Sequence, residues 1–149
     1  MKKYFILPFI SISALSVHAQ SLCSADEKTA FSCPLRNGKT VSLCSSVDAD
    51  GKNYLHYLFG NKKNIELSYP SKKIPSQKAF RRDYSKYGFH SYVSFSINRN
   101  RYGVYGNTDS NDWSHDGVMV NSHLLKCIQP PQKKYFSTII DQQNIPADQ

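Results

Sequence analysis

The chain has 149 residues, four cysteines, and 19 Lys plus Arg against 11 Asp plus Glu, a formal net charge of +8. That length is one domain's worth, enough to bury a real core. No internal repeat or low-complexity segment is present, and after the N-terminal stretch no segment is apolar enough to span a membrane.

The first element is a processing signal. Lys2 and Lys3 precede the apolar run Tyr4–Ile10, and small residues occupy the −3 and −1 positions of a cut after Ala19. This pattern predicts a secretory signal peptide over residues 1–19 and a mature chain beginning at Gln20. Ser11, Ser13, Ser16 and His18 interrupt the run, which argues against a spanning anchor of roughly 20 apolar residues. Gln20, Ser21 and Leu22 follow the cut, so a lipid-modified Cys is not expected. Removing Lys2 and Lys3 leaves 17 basic against 11 acidic residues, a net charge of +6. The expected location is periplasmic or secreted.

All four cysteines, Cys23, Cys33, Cys44 and Cys127, fall after the cut. An even number in a small exported chain predicts two structural disulfides. No C-x2-C pair or C-x-x-C motif is present, which argues against zinc and against a redox pair. The stretch "FSCPLRNGKTVSLC" (31–44) reads as a hairpin. A three-residue loop, Arg36-Asn37-Gly38, with Gly38 left-handed, sets Leu35 opposite Lys39, Cys33 opposite Val41 and Phe31 opposite Leu43. That register gathers the apolar side chains on one face, with Cys33 inside and Cys44 outside. Of the three possible pairings it favours Cys33–Cys127 and Cys23–Cys44.

The remaining elements are further short strands. "NYLHYLFG" (53–60) and "NIELSYP" (64–70) alternate around Gly60-Asn61-Lys62-Lys63. "HSYVSFSI" (90–97), "RYGVYG" (101–106), "GVMV" (117–120) and "HLLKCI" (123–128) follow, separated by turn residues. The expectation is an all-β antiparallel barrel or sandwich of about eight short strands. Between 70 and 88 runs a long basic segment with one helical turn. The expected organisation is signal peptide 1–19, all-β domain 20–129 and C-terminal extension 130–149, the last a short docked helix over 135–142 or a loose tail.

Taken together, "FSC", "GKTVSLC", "YLFG", "ELSYP" and a late Cys resemble a family of exported, disulfide-containing bacterial proteins of unassigned function. The resemblance spans about residues 23–128 and implies no catalytic residues. A fainter likeness is to the periplasmic inhibitors of C-type lysozyme, which are also small, disulfide-linked and built from antiparallel strands. Their S-G-x-x-Y loop is absent here.

The positive charge is local. Lys62, Lys63, Lys72, Lys73, Lys78, Arg81, Arg82, Lys86, Arg99 and Arg101 lie between 62 and 101, against Glu66 and Asp83. Such a stretch is either a solvated surface or a patch for an anionic partner. "DADGKN" (48–53) lacks the Gly and Glu positions of a calcium loop and reads as a turn. "NTDSNDWSHDG" (107–117) collects Asp109, Asp112, His115 and Asp116 around the only Trp, Trp113, and is the first place to look for a site. No metal-ligand spacing, G-x-S-x-G or phosphate-binding glycine loop occurs, so no cofactor or metal is expected.

Three readings follow. The first is an exported envelope binding protein without catalytic activity. It would use a basic, Tyr-rich surface with Lys72, Lys73, Arg81, Arg82, Trp113 and His115 for an anionic envelope component or an envelope protein, and not nucleic acid. The second is an inhibitor or immunity protein blocking a periplasmic hydrolase such as lysozyme. The third is a hydrolase centred on His115.

Overall fold

The computed structural model describes residues 20–84, 90–107 and 112–148. The expected signal peptide, Lys86 and Asp109 lie outside them. Two antiparallel meanders make up the described chain. The first sheet contains β1 (Lys28–Pro34), β2 (Thr40–Val47), β3 (Asn53–Asn61) and β4 (Asn64–Tyr69), in that order. After the short helix α1 (Ser76–Ala79), the second sheet contains β5 (Arg81–Tyr84), β6 (His90–Ile97), β7 (Asn100–Asn107), β8 (Gly117–Val120) and β9 (His123–Lys126). Helix α2 (Phe136–Gln142) closes the chain. Of the two architectures expected, this is the sandwich, because neither sheet closes on itself.

The hairpin register is the one the apolar pattern predicts. Phe31 faces Leu43 and Cys33 faces Val41, while Leu35 N–H donates to the Lys39 carbonyl at 2.8 Å. Gly38 has φ +76°, a conformation that strains a side-chain-bearing residue. The "DADGKN" segment is likewise a turn. Asp48 Oδ1 accepts from the N–H of Asp50 and of Lys52, and Gly51 has φ +75°. The Tyr54 hydroxyl, donating to Asp48 at 2.7 Å, is the largest cause holding that carboxyl below its ordinary range.

Period-2 alternation builds the core between the sheets. Phe31, Cys33, Val41, Leu43, Leu55 and Tyr57 face Val93, Phe95, Val104 and Val118, all buried. Phe95 sits at the centre, stacked on Tyr69 at 4.1 Å and met edge-on by Tyr57 at 4.9 Å. Burial pushes the Tyr57 phenol well above its ordinary value, so it stays protonated. Cys33 of the first sheet bonds to Cys127, just past β9 of the second, and Cys23 bonds to Cys44.

Two features depart from the sequence expectation. Cys44 points to the outer face, as predicted, yet it is fully buried. The N-terminal segment crosses that face, where Leu22 N–H donates to Ser42 Oγ at 3.0 Å, and covers it. The second is β5, a strand inside the segment read as a long basic loop. "RRDY" shows no apolar alternation, and its strand character comes from pairing with β6, Arg82 opposite Val93.

The C-terminal extension is docked. Gln132 exchanges both backbone hydrogen bonds with Ser32 of β1, each 2.9 Å. Further on, Arg82 of β5 donates to the Pro146 carbonyl and accepts from Asp148 N–H. The tail therefore covers one edge strand of each sheet, edges that would otherwise present open hydrogen-bonding groups. Phe136 and Ile140 of α2 are fully buried.

Candidate functional site

At the end of the first sheet, the extension leaves an open cleft of about 1320 Å³. Thr29 of β1, Ser45 and Val47 of β2 and Asn53 of β3 form one wall. Pro130 to Tyr135 and the exposed side of α2 form the other, with Trp113 alongside. The wall positions follow from local chemistry. β9 ends at Lys126, Ile128 N–H donates to the Pro34 carbonyl of β1 at 3.0 Å, and Pro130 and Pro131, which lack N–H groups, carry the chain on to Gln132 beside Ser32. Burial of Phe136 and Ile140 then fixes α2 so that Thr138 and Gln142 look into the cleft.

The cleft combines three kinds of group. Val47 (60% exposed) and Tyr135 (54% exposed) are the two most exposed large apolar side chains among the described residues, and both line it. Trp113 is partly buried and packs against the core. Lys28 and Lys134 are exposed cations on its rim, opposed by Asp26. Lys133 is half-buried and donates to Asp116 Oδ2 at 2.5 Å, a fully buried carboxylate. That pair fixes the 130–135 segment to the Trp113 turn. Exposed apolar side chains, hydroxyl and amide groups, and cations at the mouth are the kinds of group that ligand sites use.

The residues singled out in the sequence are dispersed. Trp113 lines this cleft. His115 is exposed, hydrogen-bonds Ser114 Oγ through Nδ1 at 2.9 Å, and lines a different, shallower recess of about 490 Å³ on the outer face of the second sheet. In that recess Tyr92 lies over Gly103, beside Arg101. Asp112 caps the turn. Hydrogen bonding from Ser114 N–H holds its carboxyl below the ordinary range. Asp116 of the same loop is fully buried against Lys133, and Asp109 lies outside the described residues. In the basic segment, Lys72 is exposed, Lys73 sits 4.4 Å from the Tyr54 ring, and Arg81 is exposed and donates to the Phe80 carbonyl. Arg82 does not belong to an exposed patch. It is 8% exposed, on the inner parity of edge strand β5, with Nη1 2.6 Å from Asp141 of α2. A run of adjacent basic residues hides this because alternation along a strand sends neighbours to opposite faces.

Sequence reasoning missed Lys28, Lys134, Tyr135 and Val47. The available signal was "PPQKKYF", two cations and a ring after a double-proline stop. It also missed a group on the outer face of the first sheet, where His56 lies between Glu27 and Ser68. Cys23, Glu27 and Cys44 lie close enough to suggest a metal site, but the two sulfurs are bonded to each other and supply no thiolate. The two disulfides fit a non-cytoplasmic protein. Among the described residues no helix is long and apolar enough to cross a membrane. No known protein family, curated protein or solved structure matches the chain.

Proposed function

We infer that this is an exported, periplasmic or secreted binding protein with no catalytic step in its main role, holding an anionic envelope glycan or glycolipid. The observation that carries the reading is the cleft, where the most exposed apolar side chains stand beside Lys28 and Lys134. Rings that remain half-exposed in a recess have the apolar body and polar tip that suit mixed ligands such as sugars. The flanking lysines supply attraction for phosphate or carboxylate. Lys73 lies over the Tyr54 ring, and Lys72 and Arg81 are further exposed cations of the same basic segment.

Trp113 is the single Trp of the chain, so its emission reports on the cleft. Titrating lipopolysaccharide at low ionic strength should change Trp113 fluorescence saturably. The affinity should fall steeply with salt, since exposed charges are screened over about 8 Å at physiological ionic strength. The double variant Lys28→Gln/Lys134→Gln should bind more weakly with a nearly unchanged melting temperature, because exposed charges contribute about 0–1 kcal/mol to stability. The triple variant Lys72→Gln/Lys73→Gln/Arg81→Gln tests whether the exposed cations of the basic segment contribute. Unchanged emission, or equal salt-independent affinities, would refute the reading. Export itself is checked by intact mass, with protein recovered from the periplasm or medium expected to begin at Gln20.

A further inference from the structure

Glu27 in the turn before β1, His56 on β3 and Ser68 on β4 are separated in sequence. Register brings them together. Leu58 pairs with Ser68, so His56, two residues back along β3, is the diagonal neighbour of Ser68 on the same outer face. The Ser68 Oγ lies 2.7 Å from His56 Nε2. On the other side of the ring, His56 Nδ1 lies 3.4 Å from Glu27 Oε1. The second oxygen of Glu27 accepts from Ser24 N–H at 3.0 Å and from Ser24 Oγ at 2.7 Å, so the carboxylate is anchored from behind. The Cys23–Cys44 bond holds this turn against the sheet, and Cys44 is the register partner of His56.

The order hydroxyl, imidazole, carboxylate is that of an activated serine nucleophile. With Glu27 ionised, the Nδ1 proton is donated to it, and Nε2 is left to accept from Ser68. We propose that Ser68 is an acylatable nucleophile served by His56 as general base and by Glu27 as positioning residue, with small-acyl carboxylic esters as its substrate class. The chemistry is ordinary acyl transfer. Ser68 Oγ bonds to the carbonyl carbon as Nε2 takes its proton. The adduct collapses, the bond to the alcohol oxygen breaks, and the alcohol leaves with that proton. Water, deprotonated by the same nitrogen, then hydrolyses the acyl-serine. Exposure limits the acyl group to a small one. Ser68 is exposed and the His56 side chain is 35% exposed, on an open sheet face without the enclosure a long chain needs.

The test uses the mature, oxidised chain. A fluorophosphonate probe, which loses fluoride to a serine oxygen, should label Ser68 on peptide mapping, and p-nitrophenyl acetate should be hydrolysed at a measurable rate. His56→Gln should lower both by about 10²-fold or more, the range of a positioned general base. Glu27→Gln should lower kcat with KM unchanged, and Glu27→Asp should restore part of it, a pattern that a purely structural Glu27 would not give. Intact disulfides and an unchanged melting transition establish that each variant is folded. Ser68→Ala should abolish labelling while leaving the Trp113 titration intact, which separates this proposal from the cleft reading. No adduct at Ser68, or equal labelling in His56→Gln, would overturn it.

Discussion

Phe136→Ala is expected to destabilise the protein by about 3–5 kcal/mol, the range for removing a buried aromatic ring from a core. The number matters because residue 136 belongs to a tail that the sequence separates from the sandwich by two prolines. Its ring is fully buried, 5.7 Å from the Phe31 centroid, and it fills the space a side chain at Gly106 would occupy, about 3.1 Å from an added Cβ. Phe136 therefore plugs the core against both sheets at once, Phe31 from β1 and Gly106 from β7. A loss of this size should lower the melting temperature by on the order of 10 °C. Tyr135→Ala is the control. Tyr135 is exposed, so its loss should shift stability by no more than about 0.5 kcal/mol. Denaturant titration distinguishes the cases, because a core defect moves the midpoint at constant m. If Phe136→Ala left the midpoint where it was, α2 would be an appendage and the cleft wall it forms would not be rigid.

The same tail shows what sequence reasoning reaches and where it stops. The β1–β2 hairpin was legible because local chemistry decided it. Gly38 supplied the turn, and only one register put Phe31, Cys33, Val41 and Leu43 on one face. From that register the disulfide partners followed, and both bonds are present. β5 was not legible, since "RRDY" becomes a strand only through β6 on one side and residues 146–148 on the other. The burial of Arg82 has the same origin, as its partner Asp141 lies 59 residues away on α2. Neither the cleft nor the Glu27–His56–Ser68 alignment leaves a local motif. Each depends on which strands neighbour one another, and alternation fixes a face without fixing a neighbour.

Removing the Cys33–Cys127 bond should cost more than removing Cys23–Cys44. Both close a loop in the unfolded chain, of 94 and 21 residues respectively. On the chain-entropy account that difference corresponds to roughly 4–5 against roughly 3 kcal/mol. The longer loop is also the one that ties the sheets together, with Cys33 in β1 and Cys127 after β9, both buried. The double variant Cys33→Ala/Cys127→Ala should accordingly unfold at markedly lower denaturant than Cys23→Ala/Cys44→Ala, each compared with the oxidised parent. The shorter loop should matter elsewhere. Its bond presses the Ser24–Glu27 turn onto the outer face beside His56, so its loss should release Glu27 before it unfolds the sandwich. Cys23→Ala/Cys44→Ala should then lose reactivity at Ser68 under conditions where its core is still folded. Cys33→Ala/Cys127→Ala should keep that reactivity up to its own, earlier unfolding. Equal stability losses in the two double variants would show that the unfolded chain is not free enough for loop length to govern the difference.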